Sequence, residues 1–216
     1  MLYYFPVLIF LYGRRVKHLR SINTVQVWDI FVRVFHWLLV CAFFGAYFSA
    51  QYKQIVLHEM IGYGLIVLLF FRLLWGFFGS PYARFNSFIF SPRETLDYLK
   101  TLRAGSPKHY LGHNPLGALM VFTLLSVLGV LILSGLISLA GIEFEGPLQS
   151  LVVNLTDADV YFVQNLHEFL ATTMLFLVFF HVSGAIIASV QHKENLIFSM
   201  FTGRKKKNSR ADNLIN

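Results

Sequence analysis

The chain has a single cysteine, Cys41, among 216 residues. One thiol excludes an internal disulfide, a C-x-x-C-H covalent haem attachment and a cysteine-ligated iron–sulfur cluster, so any redox cofactor must be held by other side chains. Charge is also scarce: Asp, Glu, Lys and Arg make up 13% of the residues, against 56% hydrophobic and 17% aromatic. A composition so far from the average soluble domain belongs in lipid. No internal repeat of about 20 to 50 residues is present, which argues against a solenoid or propeller.

Four apolar runs are long enough to span a bilayer as helices, near residues 31–50, 55–79, 115–141 and 161–190. The opening stretch Met1 to Tyr12 is apolar too, but it is short, contains Pro6 and precedes its positive charges. It reads as neither a span nor a cleaved signal peptide, and residues 1–24 are expected to be an extension upstream of the fold. The expected organisation is therefore a membrane domain over residues 25–203 followed by a basic tail over 204–216.

Lys and Arg mark the cytoplasmic side. Arg14, Arg15, Lys17, Arg20 and Arg33 precede or open the first span, and Arg84, Arg93, Lys100, Arg103 and Lys108 lie between the second and third. Lys193, Arg204, Lys205, Lys206, Lys207 and Arg210 follow the fourth. The opposite side has one cation, Lys53, and the acids Glu143, Glu145, Asp157 and Asp159. Both termini are predicted to be cytoplasmic. The net charge of +7 follows from this orientation and from attraction to anionic lipid headgroups, so nucleic acid need not be invoked. The run Arg204 to Arg210 is expected to be solvated.

Ser91-Pro92-Arg93-Glu94 is a capping box with proline at the first helical position, and it predicts a short interfacial helix. Asn114-Pro115 caps the third span, which makes His113 an interfacial residue. His18, His109, His113 and His192 fall in basic loops or at interfaces and are assigned no role.

The other four histidines lie inside spans, where ionisable groups are costly and usually functional. His167 and His181 are fourteen residues apart on the fourth span, just under four turns and about 21 Å of rise. They share a stripe with Ala171, Met174, Val178, Ala185 and Ala188, small or flexible enough for flat ligands to lie against. Chain direction puts His36 near the cytoplasmic start of the first span and His58 near the periplasmic start of the second. Depth then pairs His58 with His167 and His36 with His181. Two imidazoles facing across a bundle core are what six-coordinate haem iron needs, since the porphyrin supplies the four equatorial nitrogens. A zinc site would need about four ligands at one depth, which the spacing of His167 and His181 forbids. The plainer alternative is that each histidine hydrogen-bonds a neighbouring helix.

Arg72 lies fourteen residues after His58 on the same stripe. It either pairs with a propionate of the cytoplasmic-side haem or snorkels to lipid phosphates. Glu59 and Glu168 each follow a periplasmic-side histidine directly, but neighbours on a helix point about 100° apart. Headgroup or inter-helix hydrogen bonds are expected for both.

These residues resemble the bacterial b561-type di-haem cytochromes, including the cytochrome b subunits of membrane-bound nickel–iron hydrogenases. The likeness rests on Val27-Trp28-Asp29 leading into Arg33-Val34-Phe35-His36-Trp37, on His58 with Gly62, and on Phe71-Arg72-Leu73-Leu74-Trp75-Gly76. It continues through Gly112-His113-Asn114-Pro115-Leu116-Gly117, Gly146-Pro147-Leu148 and His167-Glu168 with His181. Gln191-His192-Lys193-Glu194-Asn195-Leu196 and Thr202-Gly203-Arg204-Lys205 look most like the hydrogenase-type branch.

The resemblance implies an all-α, integral membrane four-helix bundle of the bacterial inner membrane. It also implies two non-covalent haem b groups with bis-histidine ligation by His36, His58, His167 and His181. Electrons would pass between membrane quinone and a periplasmic partner: a hydrogenase, another dehydrogenase or a c-type cytochrome. One branch of the family instead oxidises superoxide and reduces quinone alone, which calls for a positive periplasmic mouth where only Lys53 is available. A third alternative is a haem-free anchor or a proton pathway through the histidines.

Overall fold

The computed structural model describes residues 24–207. The expectation for residues 1–23 and the end of the basic tail lie outside the described residues.

Three of the four long helices begin at a side-chain cap; Gln54, ahead of Ile55–Phe78, makes no such bond. Asp29 accepts the backbone N–H of Val32 at 2.8 Å and starts α1, Ile30–Gln51. After α2, Ile55–Phe78, a 3-10 turn at Phe85–Ser87 leads to α3, Pro92–Arg103, which opens on the Ser91–Glu94 capping box. Asn114 accepts from Gly117 at 2.7 Å and Pro115 takes the first position of α4, Pro115–Ile142. A four-residue helix, α5, Gln149–Val152, interrupts the next loop. A second capping box, Thr156 with Asp159, starts α6, Asp157–His192. The chain closes with α7, Leu196–Thr202.

Helices α1, α2, α4 and α6 are each long and apolar enough to cross a membrane. α1 packs along α2 and α4 along α6, while α4 also meets α2. The outer faces carry large exposed apolar side chains such as Phe70, Phe77, Phe176 and Phe180, as lipid-facing surfaces do. α6 has 36 residues, about 54 Å, so it projects well beyond a hydrocarbon layer of about 30 Å. The apolar run at 161–190 marks only its lipid-facing part. Asp157 and Asp159, counted above among the acids of the opposite side, form its first turn.

At mid-depth Phe43, Leu128, Leu131 and Met174 form a buried cluster. Met174 is seven residues from both His167 and His181, so this apolar layer divides the bundle into an end that carries Thr24 and Lys207, here the terminal end, and a far end.

The basic run after α7 corrects the expectation of a solvated tail. Arg204–Lys206 is a strand, β2, antiparallel to β1, Thr24–Gln26, with Val25 opposite Lys205. Strand alternation turns Lys205 inward, where it is only 6% exposed. Its Nζ donates to the Tyr110 carbonyl at 3.0 Å and lies 3.9 Å from Glu194 Oε2. Burial pushes the Lys205 ammonium below its ordinary pKa, while Glu194 opposes that shift. Glu194 Oε1 accepts the N–H of Lys206 at 2.6 Å, and His109 Nε2 lies 3.6 Å from Oε2. His109 and His192, without a role on sequence grounds, have ring centres 5.4 Å apart beside this carboxylate.

Gly203 makes the ribbon possible. Its φ is +77°, and a Cβ there would lie 2.5 Å from the Trp28 carbonyl oxygen. Its own carbonyl accepts the N–H groups of Val27 and Trp28. Replacing Glu194 by Ala would leave Lys205 buried without its acid and Lys206 N–H without its acceptor, at a cost of about 2 kcal/mol. The expected result is faster proteolysis after α7 in detergent, with Glu194→Gln closer to the parent because its amide oxygen still accepts from Lys206.

Candidate functional site

The structure brings the four intramembrane histidines together as two facing pairs. His58 and His167 have ring centres 6.0 Å apart at the far end, and His36 and His181 have theirs 6.4 Å apart at the terminal end. Two metal–nitrogen bonds of about 2 Å, plus about 1.1 Å from each nitrogen to its ring centre, separate two axial imidazole centres by about 6.2 Å. Both pairs have that span.

At the far end the ring orientations are held from behind. His58 Nδ1 is 2.9 Å from the carbonyl oxygen of Ala46, and His167 Nδ1 is 3.0 Å from that of Leu131. A carbonyl only accepts, so each Nδ1 carries the proton and each Nε2 keeps a free lone pair, the tautomer a metal ligand needs. Ser134 Oγ lies 3.2 Å from His167 Nδ1 and itself donates to Leu131 O. Gly135 lets α4 approach the ring: a Cβ there would be 2.9 Å from His167 Cε1. A cavity of about 650 Å³ contains both histidines and is walled by Phe43, Ala46, Gly62, Leu65 and Ala171, among others. That volume is in the range of cofactor pockets. Glu59 and Glu168 line the same cavity.

The terminal end is built from aromatic residues and buried donors. Arg72 is 5% exposed, its guanidinium 5.0 Å from the Phe85 ring centre, with a long bond of 3.4 Å from Nη2 to Ala83 O. Its head is packed against protein atoms. Its Nη1 and the Nδ1 of His36 are buried and have no hydrogen-bond partner among the described residues. Arg33, three residues before His36, donates to the Phe201 carbonyl and ties α7 to the start of α1.

Asp29 does more than cap α1. Trp75 Nε1 donates to its Oδ2 at 3.1 Å and Ser80 Oγ donates to the same atom. Burial raises the Asp29 pKa, but the bonds from Ser80, the Val32 backbone and Trp75 outweigh it and hold the carboxyl below its usual range.

His113, in the loop before the cap at Asn114, sits between Trp28, at 4.8 Å, and Phe88, at 4.7 Å, and its Nδ1 is buried without a partner among the described residues. Burial, then the charges of Arg72, Lys205 and His181, lower its pKa to about 3.

A family model for prokaryotic cytochrome b561 matches residues 27–203, which takes in both histidine pairs and the ribbon's Gly203. The chain belongs to the prokaryotic cytochrome b561 family. Among curated relatives, a probable Ni/Fe-hydrogenase B-type cytochrome subunit from Rhodobacter capsulatus is 25% identical over 222 residues, covering 88% of this chain and 84% of the relative. Another protein of that description, from Rhizobium leguminosarum bv. viciae, is 24% identical over 225 residues, covering 88% and 92%. No solved structure matches the chain. Family membership and four apolar helices make this b561 cytochrome a multi-pass bacterial membrane protein of electron transfer. Membership also implies b-type haem, and the histidine pairs, the cavity and the unpartnered donors suit such a group.

Proposed function

We propose that this cytochrome holds two haem b groups, one between His58 and His167 and one between His36 and His181, and moves electrons across the membrane between quinone and a redox protein on the periplasmic side. The observation that carries this reading is the presence of two facing imidazole pairs at different depths, each with the spacing of an axial ligand pair. When bound, haem iron takes up and releases single electrons. The protein's part is to fix the imidazoles, to exclude water with the layer of Phe43, Leu128, Leu131 and Met174, and to neutralise buried carboxylates.

The concentration of Lys and Arg around both termini supports a cytoplasmic terminal end and a periplasmic far end. The curated relatives are described as hydrogenase cytochrome subunits, so a periplasmic hydrogenase is the partner this reading favours, with quinone on the cytoplasmic side.

Haem content of the purified protein and a redox titration test the proposal. Two haems per chain and two one-electron components are expected. No haem absorbance, or full haem retention after replacing both His167 and His181 by Ala, would overturn it.

Within this reading Arg72 neutralises a propionate of the haem between His36 and His181. At an effective dielectric constant near 20, a unit charge acting over about 10 Å contributes about 1 to 2 kcal/mol, or roughly 40 to 90 mV for a one-electron couple. Arg72→Leu should lower one midpoint potential by about that amount and leave the other in place; an unchanged titration would remove Arg72 from the site.

A further inference from the structure

The terminal end holds more donor capacity than the protein uses. Arg72 is a buried cation with no carboxylate of the described residues in ion-pair contact. The oxygens of Asp29 are engaged by Val32, Trp75 and Ser80. Lys205 and Glu194 are engaged with each other and with Tyr110 and Lys206. Arg72 Nη1 therefore points into buried space with nothing to receive it, and so does a second nitrogen, Nδ1 of His113.

The two belong to one aromatic-walled region. The guanidinium lies against Phe85, Phe85 contacts Phe88 with ring centres 6.0 Å apart, and Phe88 contacts His113 at 4.7 Å. Trp28 closes the other face of the His113 ring and is itself pinned by its Nε1–H to Ser199 Oγ at 3.3 Å. His113 is near enough to Arg72 and to His181 for their charges to act on it. A neutral imidazole has one N–H to give. With the ring held between two aromatic side chains, an N–H carried at Nδ1 finds no acceptor among the described residues.

An unpartnered donor in the same aromatic-walled region as a buried cation suits an anion with several acceptor oxygens. A water needs two to four polar partners and brings no negative charge to Arg72, which has only the more distant and already engaged Asp29 nearby. A porphyrin with two carboxylates supplies both an anion for Arg72 and a further acceptor.

Building on the two-haem reading above, we propose that His113 is a second anchor for the haem between His36 and His181, donating its Nδ1–H to the propionate that Arg72 does not take. His113 is thus a positioning residue: it touches the cofactor's edge and acts on iron through the charge it stabilises there.

The full-length cytochrome, purified with its haem, gives the test. His113→Leu removes the donor and keeps the bulk, while His113→Gln restores an N–H. Two readouts are followed: both midpoint potentials, and the redox-difference infrared bands of haem labelled with ¹³C at its propionate carboxylates. His113→Leu is expected to lower the midpoint of the same haem that Arg72→Leu affects and to shift its labelled carboxylate bands. His113→Gln should return both most of the way.

Unchanged midpoints and bands in His113→Leu would overturn the proposal. So would a shift confined to the haem lost in His167→Ala, or an altered KM for quinone with both midpoints intact, which would assign His113 to quinone instead. If His113→Leu fails to accumulate, His113→Gln and His113→Phe are compared, and identical midpoints and bands overturn it. Absence of haem from the parent protein would overturn both readings, whereas two haems indifferent to His113 would overturn this one alone.

Discussion

Replacing His167 by Ala should remove one haem and leave its neighbour, so that haem per chain falls by half and one of two redox components vanishes. α6 supplies one member of each facing pair, His167 at the far end and His181 at the terminal end, about 21 Å apart along the helix. The cluster around Met174 lies between them, so neither pocket depends on the other's ring for its walls. Loss of a ligand nitrogen costs far more than any surrounding contact, because His58 and His167 are the histidines that line that cavity among the described residues.

The pairing makes the prediction sharper than a simple loss of haem. His58→Ala should delete the same redox component as His167→Ala, and His36→Ala the same one as His181→Ala. Optical redox titration of the four single variants checks this. If His36→Ala and His167→Ala deleted one and the same component, the assignment of ligands to sites would fall.

The histidine pairs were legible in the sequence because a membrane constrains depth. Span order and the bias of Lys and Arg give each helix a direction, and a position along a directed helix is a depth. His36, His58, His167 and His181 needed no knowledge of packing to be sorted, only the rise per residue. The mid-bundle layer was partly visible for the same reason, through Met174 on the stripe between the two α6 histidines. Arg72 was placed on the right stripe, but whether its head turned to lipid phosphate or to the interior depended on Phe85 and Ala83 folding over it from a loop.

What stayed hidden lies at the terminal end, where long-range contacts decide the outcome. Lys205 reads as one more solvated cation in a basic run. Only the pairing of Val25 with Lys205 across a two-stranded ribbon, from opposite ends of the domain, turns it inward towards Glu194 and Tyr110. His113 reads as an interfacial residue before a cap, and becomes half-buried because Trp28 and Phe88 arrive from elsewhere in the chain. Most of the motifs that carried the family resemblance meet at this end: Trp28 and Asp29, Trp75, His113 and Gly203. Their separate positions in the sequence did not disclose that meeting.

The far-end cavity yields a prediction of comparable size in which no ligand is altered. Gly62 follows His58 by four residues, so it lies one turn further along the same face of α2, and it lines the cavity. A Cβ at Gly62 would meet nothing within 4 Å. Gly62→Ala should therefore fold as the parent does and keep both haems, while Gly62→Leu would direct a branched side chain into the space a macrocycle needs. Overpacking of that kind costs about 1 to 3 kcal/mol, which corresponds to a loss of roughly tenfold or more in haem affinity at that site. Gly135 acts from the opposite wall by another route. A methyl group there, 2.9 Å from His167 Cε1 and 3.3 Å from Nδ1, displaces the ring and strains its bond to the Leu131 carbonyl, so Gly135→Ala should already reduce far-end haem. Haem-to-protein ratios and redox titration of the three variants, beside helix content in detergent, distinguish a filled pocket from a failed fold. A Gly62→Leu variant with native helix content and both redox components intact would show that the cavity beside His58 and His167 is not where the haem lies. Selective loss of the component missing in His167→Ala would tie cavity and ligand pair to one site.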